Sequence, residues 1–248
     1  MRHPPARVDG RGHLSGARWL LIGNSRWHWA MAGSGGLHCW SGPAGEGGLE
    51  GLVGWAAVGP VPPGVALDPR RRLHLSDVPL SDVPPWLGLD RALAGWQAHR
   101  LSGQAGLVAD AGTALSLTRI TAEGCFAGGR LLAGAGLQLH ALAGATVALP
   151  RLQLPPQLPP QLPADSWPRS TEAAMATGVL RGLAAAIAQA AIEAEGQGPG
   201  TILWITGGDG ELLAPLVEEL LAASPIAVRR APQLVLEALS ALRPGPAR

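Results

Sequence analysis

The chain has 248 residues, 47% of them hydrophobic and 15% charged, with a formal net charge of +1. This length allows a sizeable core, and the near-neutral charge argues against the basic surface that binds nucleic acid. The sequence has no lysine, which excludes lysine Schiff-base chemistry and the P-loop lysine. Any phosphate site must therefore use backbone amides, arginine or a metal ion.

The cysteines and the N-terminus indicate where the protein works. Cys39 and Cys125 lie far apart and lack metal-ligand spacing, which favours a reducing compartment over a disulfide framework. Residues 1–17 are polar and rich in Gly, Pro and Arg, so we predict a disordered extension that is not a signal peptide. No later segment has the pattern of a membrane span. We expect a cytoplasmic protein that binds neither membranes nor nucleic acid.

The first predicted strand runs straight into a polar turn. Trp19 to Ile22 is apolar, and "GNS" follows it with Asn24, the single asparagine of the chain. A strand that ends in such a turn can bring backbone N–H groups to a phosphate. In nucleotide-binding proteins the turn usually follows an acidic residue, and here Leu21 holds that place.

Large residues alternate directly after this turn. Trp27 and Trp29 flank His28, an order that favours the packed face of a β-hairpin over an adenine-stacking site. Both interpretations stay open from the sequence.

A helix is predicted from "LDRALAGWQAHR", in which Leu89, Leu93 and Trp96 recur at roughly helical spacing. Asp90 and Arg91 lie at its start. A carboxylate is favoured there by the helix dipole, and an arginine can bind a carboxylate or phosphate through two hydrogen bonds. An ordinary helix start with a solvated arginine explains the same residues.

The segment "LVADAGTALSLTRI" predicts a hairpin. The strand Leu107 to Ala109 reaches Asp110, a small turn follows, Thr113 offers a hydroxyl, and strand-like alternation returns. An acidic group beside several backbone donors suits a phosphate or a cation. The alternative is a turn that satisfies its own backbone.

The rest of the chain alternates helices with strands. Residues 150–168 form a proline-interrupted Gln-Leu repeat, which predicts a stiff surface loop or, alternatively, a polyproline ligand for a partner. A long Ala-rich helix follows, with Ser170 or Thr171 as its cap. Then come a strand at Thr201 to Ile205, the turn "TGGDG", a helix, a short strand at Ile226 to Val228 and a last helix. This order predicts an α/β protein of two lobes, 18–104 and 105–248, with a ligand cleft between them.

Six segments, in their order along the chain, resemble the type III pantothenate kinases, in a form like that of cyanobacterial members. They are "LIGNS", "LGLDR", "DAGTALSLTRI", "GCFAGGRLLAGAGLQLHAL", "STEAAMATG" and "ITGGDG". The resemblance covers roughly residues 18 to 240. It implies the two-domain actin/hexokinase-like ATPase fold, with mixed sheets flanked by helices, and a homodimer. The implied reaction transfers the γ-phosphoryl group of ATP to pantothenate, giving 4′-phosphopantothenate in the first step of coenzyme A synthesis.

The resemblance also implies the site residues. Asp90 is the proton acceptor, Asp110 binds a monovalent cation such as K⁺ or NH₄⁺, and Thr113 contacts ATP. The segment against the nucleotide phosphates is Leu21, Ile22, Gly23, Asn24 and Ser25. The residues that hold pantothenate are Gly88, Leu89, Asp90, Arg91 and, across the dimer interface, Thr171.

Three positions depart from the family pattern: Leu21 replaces an acidic residue, Pro84 a tyrosine and Ala133 a proline. Leu21 removes an expected ligand of Mg²⁺ or of its water shell. Mg²⁺ is still expected as a cofactor, and the sequence leaves open whether the activity depends on it. Two other functions are compatible with the same fold: a kinase with another small-molecule acceptor, and a regulator that binds nucleotide without turnover.

Overall fold

The computed structural model describes residues 16–45, 48–152 and 166–243, and every structural statement below concerns these residues. They divide into two compact units. The first holds the residues up to 79, residues 85–93 and those from 235 onward, and the second holds 80–84 and 94–234. The predicted extension 1–17 and the predicted loop 150–168 lie largely outside the described residues.

The first unit is built on a four-stranded sheet in the order β3-β2-β1-β4. Its strands are β1 (Arg18–Ile22), β2 (Trp27–Gly33), β3 (Gly36–Gly42) and β4 (Leu52–Ala57). The first three form an antiparallel meander, and β4 is parallel to β1.

The alternating large residues of β2 form one packed face of this sheet. Trp27 pairs with Ile22 and Trp29 pairs with Leu20, and all four side chains are buried in one hydrophobic cluster. Trp29 also stacks on Trp40 of β3, with ring centroids 6.1 Å apart. The packed-face interpretation of the Trp-His-Trp segment is therefore confirmed.

The second unit is built on a five-stranded sheet in the order β7-β6-β5-β8-β9. Its strands are β5 (Gly106–Ala111), β6 (Ala114–Ile120), β7 (Phe126–Ala133), β8 (Ile202–Thr206) and β9 (Ala227–Arg230). Again three strands form an antiparallel meander, and β8 is parallel to the first of them. The two sheets thus share one arrangement, in which β1 corresponds to β5 and β4 to β8.

The helices are α1 (Leu89–Ser102), α2 (Ala135–Ala145), α3 (Thr171–Gln197), α4 (Gly210–Leu220) and α5 (Leu234–Leu242). Long and Ala-rich, α3 contributes one side to the main hydrophobic cluster of the second unit. It is the one described helix with the length and hydropathy to cross a membrane, and 56% of its apolar window is buried inside the molecule.

The end of α5 is anchored to the first sheet. The indole Nε1 of Trp19 donates to the carbonyl of Arg243 at 2.6 Å, and the Arg243 guanidinium lies 2.6 Å from Asp77. A Cβ on Gly54 would lie 2.7 Å from the Arg243 Cβ, so only glycine allows this close approach.

The fold class predicted from the sequence is confirmed: mixed sheets flanked by helices. The strands predicted at the starts of the "GNS", "DAGT" and "TGGDG" turns are β1, β5 and β8, and the helices predicted at "LDRALAG" and "STEAAM" are α1 and α3. The sequence interpretation did not identify β3, β4, β7 or α2.

Candidate functional site

The first polar turn joins β1 to β2. The N–H of Gly23 donates to the carbonyl of Arg26 at 3.0 Å, which closes the turn and leaves Asn24 and Ser25 exposed at its tip. A Cβ on Gly23 would lie 2.8 Å from that carbonyl oxygen and 3.2 Å from His28 Nε2. Glycine is therefore required where the sequence predicted the phosphate turn to begin.

The loop after β4 supports this turn from the parallel side. Val58 donates its N–H to the carbonyl of Ile22 at 2.9 Å. A Cβ on Gly59 would lie 3.2 Å from Asn24 Oδ1, so the Asn24 side chain lies against the Gly59 backbone. Leu21, the residue in the expected acidic position, is buried in β1.

The predicted substrate motif lies at the start of α1. The N–H of Arg91 donates to Asp90 Oδ1 at 2.9 Å, so the carboxylate folds back over the first turn of the helix. A Cβ on Gly88 would lie only 2.6 Å from the same oxygen. Gly88 thus leaves the space that the Asp90 carboxylate occupies, and Leu89 is buried beside it.

Burial tunes both charged groups of this motif. The pKa of Asp90 is raised, because burial penalises its charged form more than the Arg91 N–H and the Arg91 charge favour it. Burial likewise lowers the pKa of Arg91, and the nearby Asp90 charge opposes the shift. A carboxylate that binds its proton more tightly than usual is suited to accept one from a substrate hydroxyl.

The second polar turn joins β5 to β6, as the sequence predicted. Gly112 donates its N–H to the carbonyl of Ala114 at 3.1 Å, and Thr113 is exposed at the tip. Asp110 lies opposite Ser116 of β6 and Thr206 of β8, two buried hydroxyl residues. The carboxylate is thus at a strand end where the neighbouring polar groups carry oxygen.

Two glycines from distant parts of the sequence clamp this turn. Gly207, with φ +87°, follows β8, and a Cβ there would overlap the Ala111 carbonyl oxygen and lie 2.5 Å from Asp110 Oδ1. Gly134 precedes α2 and donates its N–H to the Thr113 carbonyl at 3.0 Å. The sequence contained both glycines in quoted motifs, but it gave no means of pairing them with Asp110.

Asp209 is a further candidate site residue, which the sequence analysis did not assign. It lies in the "TGGDG" turn, and its N–H donates to the Ala111 carbonyl at 2.9 Å, which brings it beside the Asp110 turn. Burial raises the pKa of its carboxyl. An acidic residue after a glycine pair at a strand end was the signal that could have identified it.

Thr171 begins α3, and Ser170 is the helix cap. The Ser170 hydroxyl accepts a hydrogen bond from the Ala173 N–H at 3.2 Å, which decides between the two predicted caps. Thr171 is exposed, so its hydroxyl is not committed to capping.

The predicted site residues therefore fall in both units. Leu21 to Ser25 and Gly88 to Arg91 belong to the first, and Asp110, Thr113 and Thr171 belong to the second. Within the second unit the structure brings Asp110, Gly207 and Asp209 together.

The oxygen-rich surroundings of Asp110 fit a monovalent cation. Asp110 offers a carboxylate, and its strand partners Ser116 and Thr206 carry hydroxyls; these are the oxygen ligands that such ions prefer. The first unit offers less to a divalent ion, since Leu21 supplies no ligand. Among the described residues, no group of three or more His, Cys, Asp or Glu side chains gathers as a metal site.

Comparison with known proteins adds the family. A model described as type III pantothenate kinase matches residues 75–193. The type III pantothenate kinase of Synechococcus elongatus is 42% identical over 152 residues, which span 61% of this chain and 59% of that relative. The type III pantothenate kinase of Synechococcus sp. strain JA-3-3Ab is 41% identical over 242 residues, covering 91% of this chain and 92% of the relative.

Solved structures agree on the fold. A conserved protein of the Baf family of transcriptional activators from Campylobacter jejuni has a TM-score of 0.57 at 18% identity and covers 91% of this chain and 96% of its own. A protein described as a 2-dehydro-3-deoxygalactonokinase from Sinorhizobium meliloti has a TM-score of 0.56 at 14% identity, with 94% and 98% coverage. At these identities the likeness shows the actin/hexokinase-like fold alone. The identity to relatives along most of their length is the stronger finding, and by it this chain belongs to the type III pantothenate kinase family.

Proposed function

We propose that this chain transfers the γ-phosphoryl group of ATP to pantothenate, giving 4′-phosphopantothenate and ADP in the first step of coenzyme A synthesis. The observation that carries the proposal is the motif Gly88–Arg91 at the start of α1, with a half-buried carboxylate whose pKa is raised, in a chain of this family.

The proposed roles follow from what phosphoryl transfer requires, which is alignment of the nucleophile and neutralisation of charge. Asp90 accepts the proton of the pantothenate hydroxyl while the oxygen attacks the γ-phosphorus and ADP leaves. Arg91 anchors the substrate, and Leu89 and Gly88 shape the space around the Asp90 carboxylate. Thr171, which is exposed at the start of α3 and is not its cap, is proposed to contact pantothenate from the partner copy.

Residues of each polar turn are proposed to contact ATP. In the first, Gly23, Asn24 and Ser25 present backbone and side-chain donors to the phosphates, and Leu21 and Ile22 carry the turn at the end of β1. In the second, Thr113 contacts ATP, and Asp110 holds K⁺ or NH₄⁺. Such a cation would supply positive charge that the chain, which has no lysine, cannot supply from an ammonium side chain.

The direct test is a coupled assay of the purified 248-residue chain with ATP and pantothenate, with and without K⁺, and with Mg²⁺ varied. Phosphorylated pantothenate identified by mass spectrometry is the expected result. A panel of sugars and acetate in place of pantothenate checks the acceptor. If ATP is bound but no acceptor is phosphorylated under any of these conditions, the proposed function is wrong.

A homodimer, in the cytoplasm, is part of the proposal. If Thr171 of one copy serves the Asp90 of the other, two inactive variants should complement each other. Co-purified Asp90→Asn and Thr171→Ala chains are expected to regain activity that neither has alone, because one site of the mixed dimer keeps both residues. Light scattering that finds a monomer at assay concentrations would contradict the dimer.

A further inference from the structure

The two sheets allow the first polar turn to be compared with the second, position by position. In each, the strand in the same position of its sheet ends directly before a glycine, so that Leu21 of β1 corresponds to Asp110 of β5, and Gly23 corresponds to Gly112. The residues that follow Leu21 and Asp110 have their carbonyls held in the same way. The Ile22 carbonyl accepts from the Val58 N–H, and the Ala111 carbonyl accepts from the Asp209 N–H. Leu21 therefore lies where the second unit has its carboxylate.

The polar group at this level of the first sheet is on the neighbouring strand. His28 of β2 lies directly opposite Leu21, and Ser41 of β3 lies opposite His28, so these three side chains share one face. Trp27 and Trp29 point to the other face, into the core. The His28 imidazole therefore lies beside the turn, on the face of the sheet opposite to the two tryptophans.

One nitrogen of the His28 ring is hydrogen-bonded, and the other lies against the turn. His28 Nδ1 lies 2.7 Å from the Ser41 hydroxyl, within hydrogen-bond distance. On the other side, a Cβ on Gly23 would lie 3.2 Å from His28 Nε2 and 3.4 Å from its Cδ2. The imidazole therefore lies against the backbone at the first residue of the turn.

We propose that His28, oriented by Ser41, is a positioning residue that holds the Gly23–Ser25 turn in the conformation that binds the nucleotide phosphates. The side chain acts through the turn and does not react. Burial and the Arg26 charge lower the pKa of His28, so the ring is neutral at physiological pH and keeps one nitrogen as a donor and one as an acceptor. The inference rests on the proposed function, which assigns the nucleotide phosphates to this turn.

The test compares three substitutions that separate the two ends of the ring. His28→Phe keeps a ring and loses both nitrogens. His28→Gln can place an amide near the position of Nε2, while His28→Asn can place one near Nδ1 and leaves the turn unsupported. His38→Phe is the matched control, because His38 is an exposed histidine of the same sheet whose ring lies against Trp40.

The expected result for His28→Phe is a KM for ATP raised about tenfold, the loss of roughly one positioning hydrogen bond, with kcat lowered less than threefold and the KM for pantothenate unchanged. His28→Gln should recover most of the ATP affinity, and His28→Asn should not. Ser41→Ala should shift the KM for ATP in the same direction by a smaller factor. The control should match the wild type.

Binding of a non-hydrolysable ATP analogue, measured by calorimetry, separates this inference from the proposed function because it needs no acceptor. If the wild type binds the analogue but phosphorylates nothing, the proposed function fails and the His28 comparison can still be made. Equal analogue affinity in the wild type and His28→Phe overturns the inference, as does an equal rise in the KM of both substrates. Should His28→Phe not fold, Ser41→Ala decides by the same measurements, since it leaves residue 28 intact.

Discussion

The two polar turns begin alike and are supported differently. Both follow the strand that starts a three-stranded meander, and both have their strand carbonyl held by an N–H from the loop after the parallel strand. In the second unit, that loop brings Gly207 into contact with the Asp110 carboxylate. In the first, Gly59 meets only the end of the Asn24 side chain. One turn is enclosed by backbone, and the other rests on side chains that can move.

The two units also differ in where they carry an acidic group. The enclosed turn keeps its carboxylate, Asp110, at the strand end. In the first unit the strand end has Leu21, and the carboxylate with a raised pKa is Asp90, at the start of α1. We therefore expect the two aspartates to affect different steps, one the chemistry and the other the nucleotide.

The largest expected effect comes from Asp90→Asn. Loss of the proposed proton acceptor should lower kcat by about 10²-fold to 10⁴-fold, the usual range for general acid–base catalysis, while pantothenate binding is largely kept because the amide still accepts from Arg91. Steady-state kinetics and pantothenate calorimetry measure both. An unchanged kcat would mean that Asp90 only shapes the helix start, and the division between the two aspartates would be lost.

The same substitution should change how the stability of the protein depends on pH. Since burial raises the pKa of Asp90, the folded chain binds this proton more tightly than the unfolded chain does. The stability that the protonated form contributes is complete below the unfolded value and is lost as the pH rises through the folded one. Asp90→Asn is thus expected to raise Tm at pH 7 and to lose this advantage toward pH 3, as a thermal unfolding series can measure. A lower Tm at pH 7 would contradict it.

Gly207→Ala tests the enclosure of the second turn. The added Cβ meets backbone that cannot yield, and the φ of +87° strains any residue other than glycine. We expect a loss of about 3 kcal/mol in the free energy of unfolding and weaker ATP binding. Gly208→Ala is the matched control, since its Cβ would meet nothing within 4 Å. Similar denaturation midpoints for the two variants would show that the turn is not enclosed.

The sequence predicts features that depend on residues close together in the chain, and it does not predict features that depend on distant residues. It predicted β1, β5 and α1 because apolar periodicity and turn residues are local signals. It could not pair Gly207 or Gly134 with the Asp110 turn, because about 97 and 24 residues separate them along the chain and only the folded sheet brings them together.

Two of the missed elements, α2 and β7, have physical reasons as well. The residues of α2 are mainly Ala, Gly and Leu, and they carry no helix cap, because Gly134 at the N-cap makes no side-chain hydrogen bond. Strand β7 is largely exposed at the edge of its sheet and contains Gly128 and Gly129, which weakens the strand pattern. Contacts made in the folded chain decided both elements: α2 packs into the hydrophobic cluster, and β7 pairs with β6.

Asp110→Asn is expected to have an effect of middle size. Removing the negative charge should raise the KM for ATP by about tenfold, the equivalent of one charge-assisted contact, and should abolish activation by K⁺. Stability should change little, because an amide fits the same space beside Gly207. The measurement is a K⁺ titration at fixed ATP. A titration curve identical to that of the wild type would count against the cation role and would leave the two turns functionally alike.

The smallest expected effect is that of Gly59→Ala, which repeats the Gly207 experiment on the first turn. Its Cβ would lie 3.2 Å from Asn24 Oδ1, and this neighbour is the end of an exposed side chain that can shift by a few tenths of an ångström. The free energy of unfolding should fall by less than about 1 kcal/mol, with a KM for ATP raised a few fold as Asn24 moves. The outcome that contradicts this is a loss as large as that of Gly207→Ala. Such a loss would mean that backbone encloses both turns, and that the first turn does not depend on the side chains of Asn24 and His28 for its shape.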